Sequence, residues 1–175
     1  EVEQQAIRPA FFQVRANASD ALNKLLDVSA FDYPKDVGIL SKWIDAVTSS
    51  DKEAIVLDFF AGSGSTGHAV MNLNAADQGS RRFILVQLDE ALDPGSVAQA
   101  RGYATLADVA RERLRRAGAQ VMEDAGLMGA SLDVGFRSLH VDGSNKADVL
   151  RTADDTEQLG LDDLAPSIKP DRSGD

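Results

Sequence analysis

Cysteine is absent from the 175 residues. That removes disulfides and thiolate zinc sites and leaves His68 and His140 as the only imidazoles. The composition therefore argues against a metal centre. No apolar run approaches the roughly 20 residues that cross a bilayer, so no membrane partner is expected. Residues Glu1 to Gln5 carry no initiator Met, no basic region and no apolar signal core. The expectation is a fragment cut from a longer, cytoplasmic protein. Positive charge is also scarce. A formal charge of -10 opposes nucleic-acid binding, which rests on Lys and Arg neutralising phosphates. Half of that excess lies in residues 141–175, with nine acidic and four basic side chains. Prolines are few and isolated: Pro9, Pro34, Pro94, Pro166 and Pro170.

What is present suits one soluble domain. Hydrophobic residues make up 43% and charged residues 26% of the chain, ordinary proportions for a globular protein, and the length allows one proper core. A short strand is expected around Phe11 to Ala16, then a helix capped at Ser19 or Asp20 and carrying Leu22, Leu25 and Leu26. After a turn from Phe31 to Asp36 the periodicity predicts a helix over Val37 to Val47, with Ile39, Leu40, Trp43 and Ile44 on one face. Ala54 to Leu57 is a continuous apolar run of the kind found in a parallel strand covered on both faces. Glycine-rich residues 61–64 lead into a helix from Ser65 to about Leu73, and Phe83 to Leu88 is a second apolar strand. This is a βαβ unit, and it predicts an α/β fold with a doubly wound, mostly parallel sheet and flanking helices. A loop at Pro94 and Gly95 precedes a helix from about Thr105 to Gln120. Its inner face holds Leu106, Val109, Ala110, Leu114, Ala117 and Val121; Arg111, Arg113, Arg115 and Arg116 are assigned to its outer face. A strand is expected at Val134 to Val141, and a loosely ordered acidic tail from Gly143.

Gly62, Gly64 and Gly67 satisfy GxGxxG between a strand and a helix, where backbone N–H groups can face a ligand. The pattern admits nucleoside triphosphates, dinucleotides and S-adenosylmethionine, besides a plain tight turn. No Lys stands in the loop, which disfavours ATP. Asp58, at the mouth of the first strand, would oppose a pyrophosphate but pair with the ammonium of a methionine moiety. The sign of the charge favours S-adenosylmethionine. After the second strand, Gln87, Asp89 and Glu90 are the candidates for hydrogen bonds to ribose hydroxyls, and the choice between Gln87 and Glu90 stays open.

Residues Val56 to Thr66, with Asp58, Phe59, Ala61, Gly62, Ser63, Gly64, Ser65 and Thr66, resemble the S-adenosylmethionine motif of amino-methylating DNA methyltransferases. The usual form is Asp-Pro-Phe-Ala-Gly-Ser-Gly-Thr-Thr; Phe59 replaces the Pro and Ser65 the first Thr. Phe31 to Asp36, containing Tyr33, Pro34 and Lys35, is similar to the Pro-Lys element that precedes this motif. Likeness over Gly67 to Val70, Arg81 to Leu88, Arg113 to Arg116 and Gly135 to Arg137 narrows the resemblance to the modification subunit of type III restriction-modification systems, an adenine-N6 DNA methyltransferase. The resemblance implies a Rossmann-like methyltransferase fold, present in part. It also implies S-adenosyl-L-methionine as cofactor, with Lys35 near its carboxylate and His68 as a packed or partly exposed helical residue. Its implied partners are double-stranded DNA, a restriction subunit and a second modification subunit.

That family also carries an Asp/Asn/Ser-Pro-Pro-aromatic element that holds the flipped adenine. With no adjacent prolines here, no catalytic residue is assigned and the chain alone is expected to be inactive. The layout expected is an N-terminal segment of a truncated domain at 1–30, a cofactor-binding α/β core at 31–125, a strand region at 126–145 and an acidic tail at 146–175. The Arg111 to Arg116 cluster reads as a solvated or inter-subunit face in preference to a phosphate contact. Two other readings remain: a non-catalytic S-adenosylmethionine-binding assembly or regulatory module, and a Rossmann dehydrogenase.

Overall fold

The computed structural model describes residues 15–143. The chain divides into two compact units, Glu1–Phe136 and Arg137–Asp175. In the second, the described residues 137–143 are exposed and carry no regular structure.

The first unit is a mixed α/β structure. Helix α1 is Arg15–Leu26 and α2 is Val37–Thr48; strand β1 is Ile55–Asp58, α3 is Ser65–Asp77 and β2 is Arg82–Leu85. A short helix α4, Val97–Ala100, and the long α5, Leu106–Asp124, complete it before a 3-10 turn at Gly126–Ser131. β1 and β2 pair in parallel, Ile55 opposite Arg82 and Asp58 opposite Leu85, with α3 as the crossover.

Local chemistry sets the helix starts. Asp36 caps α2, its Oδ1 accepting from the Ile39 N–H at 2.9 Å. Thr105 and Asp108 form a reciprocal capping box on α5. Ser19 is not a cap: α1 already begins at Arg15, and the Ser19 hydroxyl instead donates to the Asp32 carbonyl at 3.0 Å. The strand expected over Phe11 to Ala16 therefore gives way at Arg15 and Ala16; its earlier residues lie outside those described.

Three clusters form the core. Leu22 and Leu26 of α1 meet Ala98 of α4 and Leu106 and Val109 of α5. Ile44 of α2 packs with Ala69, Val70 and Leu73 of α3 above Val56 and Phe83 of the sheet. Met71 of α3 meets Leu114 and Val121 of α5, with Leu85, Val134 and Phe136 alongside. At Gly67 a β-carbon would lie 2.7 Å from Leu114 Cδ2 and 3.0 Å from Leu85 Cδ1; the absent side chain is what lets α3 approach both α5 and β2.

Several expectations need correction. The helices among the described residues cover one sheet face only. Val56, Phe83 and Leu85 turn inward, whereas Leu57 is 58% and Ile84 51% exposed on the other face. An apolar run signals that both faces require cover, but it does not say that the cover is local. β2 is shorter than expected: beyond Leu85 the Val86 N–H still donates to the Asp58 carbonyl at 2.8 Å, but the Val86 carbonyl and the Gln87 side chain accept from the Ala61 and Gly62 N–H groups of the glycine loop. Trp43 is 56% exposed, off the apolar stripe of α2. No strand forms over Val134 to Val141: Val134 and Phe136 serve as packing side chains, and Leu139 and Val141 are exposed. Arg113, expected outside, is 3% exposed. It stands seven residues after Leu106 and four after Val109, two turns and one turn along the buried stripe. The acidic tail lies outside the described residues.

Candidate ligand-binding site

The end of β1, the loop that follows it and the first turn of α3 are fixed by one network. Asp58 Oδ1 accepts from the Phe60 N–H at 3.1 Å, and its Oδ2 accepts from the Thr66 hydroxyl at 2.6 Å. The Ala61 N–H donates to the Val86 carbonyl at 3.1 Å, and the Gly62 N–H to Gln87 Oε1 at 2.7 Å. Gly62 and Gly64 adopt φ of 54° and 80°, a region nearly closed to residues with a β-carbon. A side chain at Gly64 would also press on Ala110, 3.4 Å away. Ala61, Ser63, Gly64, Ser65 and Thr66 are buried, while Phe59 and Phe60 are exposed with ring centroids 5.3 Å apart.

Gln87 passes the network on. Its Nε2 donates to Glu90 Oε2 at 3.3 Å, so its amide is occupied at both ends. Glu90 is held from the other side too, its carbonyl accepting from the Leu106 N–H at 3.0 Å. Tyr33, 75% exposed, shares with Glu90, Phe31 and Asp93 the lining of a cavity of about 280 Å³. Lys35 lines a different cavity, of about 220 Å³, with His68, Asn72 and Arg113. The expected site residues thus fall into three groups. Asp58, Gly62, Thr66, Gln87 and Glu90 lie on the hydrogen-bonded track, Tyr33 joins it through Glu90, and Lys35 lies in the second cavity. Among the described residues no cluster of metal-ligating side chains occurs, and no helix is long and apolar enough to cross a membrane.

Residues 8–92 match a family model described as DNA methylase. The matched segment runs from before α1 through the loop and both strands to the edge of the Tyr33 cavity. Among relatives, the Mod subunit of the type III restriction-modification enzyme StyLTI of Salmonella typhimurium is 40% identical over 125 residues, 70% of this chain and 19% of its own length. The Mod subunit of the type III enzyme EcoP15I of Escherichia coli is 55% identical over 67 residues, 38% of this chain and 10% of its own. The type II methyltransferase M.KpnI of Klebsiella pneumoniae is 34% identical over 97 residues, 55% of this chain and 23% of its own. The chain therefore spans about a quarter or less of each.

The matched segment meets α5 through Arg113, which the sequence analysis placed on the wrong face. Its Nη1 donates to the Ser63 and Ser65 hydroxyls at 2.9 and 2.7 Å, joining α5 to the glycine loop. The other arginines of the cluster are engaged at the surface. Arg111 pairs with Asp108, Arg115 with Glu112 at 3.5 Å, and Arg116 with Glu112 at 2.7 Å and Asp27 at 2.9 Å. The seven-residue spacing from Leu106 was the available signal for Arg113; its charge overrode it.

Burial, and then the charge of Arg113, lower the His68 imidazole from 6.5 to about 4. His68 is neutral at pH 7, as its half-buried place in α3 requires. Because the folded value lies below the unfolded one, the unfolded chain takes up the proton first. Stability should thus fall as pH drops from 6.5 to about 4, by about 3 kcal/mol. Denaturant midpoints measured across that range should flatten in His68→Gln. A variant that keeps the wild-type slope would show that another group is responsible.

Proposed function

We propose that this chain is the S-adenosylmethionine-binding part of a site-specific adenine-N6 DNA methyltransferase, the modification subunit of a type III restriction-modification system. The one observation that carries the reading is the Asp58 carboxylate held by Thr66 beside a glycine loop that has no lysine. A negative group there repels a diphosphate and attracts an ammonium.

The residues fit the cofactor. The positive-φ glycines let the backbone approach the methionine end. Gln87 is spent on Gly62 and Glu90, which leaves the Glu90 carboxylate for the ribose hydroxyls. The cavity beside Phe31, Tyr33 and Glu90 is large enough and aromatic enough for a purine. When bound, S-adenosylmethionine supplies an electrophilic methyl group. This chain's residues bind and orient that donor. The groups that hold the target adenine belong to the Pro-Pro-aromatic element, which this sequence does not contain. The βαβ unit is read as part of a Rossmann-like, doubly wound sheet, and the layout as a cofactor core at 31–125 flanked by 1–30, 126–145 and 146–175. Double-stranded DNA, a restriction subunit and a second modification subunit are the proposed partners, in the cytoplasm.

Thermal unfolding of the intact protein tests this. S-adenosylmethionine at a hundred times its Kd should add about 2.7 kcal/mol of stability, and NAD or ATP at the same concentration should add none. Protection by NAD instead would replace the reading with a dinucleotide-binding one.

A further inference from the structure

Four backbone donors of the glycine loop are already occupied. The N–H groups of Phe60, Ala61, Gly62 and Gly64 are bonded to Asp58, the Val86 carbonyl, Gln87 and the Ala61 carbonyl. Polar recognition of a ligand then shifts toward the side chains around the loop, and Glu90 stands among them. It is exposed and lines the cavity of about 280 Å³ with Phe31 and Tyr33. The loop reaches the same wall, since a β-carbon at Gly62 would lie 3.9 Å from Phe31 Cζ. The Glu90 backbone is fixed from α5: its carbonyl accepts from the Leu106 N–H at 3.0 Å, and Ala91 and Thr105 form an antiparallel bridge beside it.

Gln87 fixes the side chain. It is half-buried, and its amide lies between the loop and the acid, Oε1 accepting from the Gly62 N–H at 2.7 Å and Nε2 donating to Glu90 Oε2 at 3.3 Å. A donor on one side and a carboxylate on the other leave a single orientation for the amide. Glutamate at this position would supply the acceptor but set a second negative charge against Glu90, and methionine would supply neither bond. A surface glutamate without such a tie has to be ordered when a ligand binds, which weakens binding by about twofold to tenfold.

We infer that Gln87 is a positioning residue: it holds the Glu90 carboxylate at the cavity in register with the glycine loop, and thereby sets the preference of the site for a ribonucleoside ligand over a deoxyribonucleoside one. The inference rests on the ligand reading above and goes beyond it in making sugar selection a property of the Gly62, Gln87 and Glu90 relay. Such a preference matters to a protein whose proposed substrate is itself built of deoxyadenosine.

The test titrates S-adenosylmethionine and its 2′-deoxy analogue, which differ by one hydroxyl, into the intact protein and three variants by calorimetry. The wild type should prefer the ribose ligand by about tenfold or more, the effect of one hydrogen bond to a charged group. Glu90→Ala, at an exposed position, should reduce the preference to about twofold or less. Gln87→Glu and Gln87→Met should each reduce it to about threefold or less, and Gln87→Met introduced into Glu90→Ala should change it no further, because the two residues act as one unit. If one Gln87 variant does not fold, the other carries the comparison. Equal losses for both ligands in the Gln87 variants, with the preference intact, would make Gln87 a structural tie and overturn the inference. So would a preference that survives Glu90→Ala, or a wild type that binds both ligands equally. A wild type that binds neither would overturn the ligand reading, and this inference with it.

Discussion

Asp58→Ala is expected to weaken S-adenosylmethionine binding by about a hundredfold or more, measured calorimetrically on the intact protein. Two contributions combine. In the proposed function the carboxylate at the end of β1 meets the ligand's ammonium, and a charge-assisted hydrogen bond in a partly desolvated site exceeds a neutral one. It is also the acceptor for the Thr66 hydroxyl and the Phe60 N–H, so its loss releases the loop at both ends. Asp58→Asn separates the two. An amide oxygen still accepts one of those bonds but carries no charge, so Asn should keep the loop and lose most of the affinity. If Asn binds as tightly as Asp, the ammonium is not recognised here and the glycine loop alone holds the ligand.

The legible parts of the fold were those in which one physical demand dominates. The α2 and α5 stripes follow helical periodicity, Trp43 and Arg113 apart, and β1 and β2 are short apolar runs separated by a helix of the right length for a parallel crossover. Asp58, the glycines and Gln87 could be located because strand, loop and helix follow one another in sequence. Local signals could not report on partners far along the chain. The link from Arg113 to Ser63 and Ser65 spans about fifty residues, and the arginine's charge argued for solvent while its spacing argued for the core. The division of Tyr33 and Lys35 between two cavities depends on how the turn before α2 lies against α3 and the Glu90 segment. That is a tertiary fact with no one-dimensional trace. The open face of the sheet is of the same kind, since Ile55, Leu57, Ile84 and Val86 declare a need for cover without naming its source.

Arg81 offers the largest stability effect, and its comparison with Arg115 shows how far burial decides an ion pair's worth. The Arg81 Nε donates to the Thr48 hydroxyl at 2.7 Å and Nη2 to the Thr48 carbonyl at 3.3 Å, while Nη1 and Nη2 each reach Asp77 at 3.0 Å. Its backbone N–H and carbonyl are bound by the Asn74 amide at 3.1 and 2.8 Å. One residue therefore ties the ends of α2 and α3 to the start of β2. Arg81→Ala removes the guanidinium donor from the Thr48 hydroxyl and carbonyl and from Asp77, which keeps only the Gly79 N–H and Lys52, and should cost about 3–5 kcal/mol in chemical denaturation. Arg115→Ala, which breaks an exposed pair with Glu112, should cost no more than about 0.5 kcal/mol. The pH dependence follows the same contact. The hydrogen bond from Arg81, opposed by desolvation, holds the Asp77 carboxyl below its ordinary 3.8. Its contribution is present above the unfolded value and is lost as pH falls through the lower folded one. Arg81→Ala should shrink that acid-limb loss to what the Gly79 N–H and Lys52 still supply and lower the plateau, whereas a change of under about 1 kcal/mol at neutral pH would mean that the α2, α3 and β2 junction is held by its other contacts.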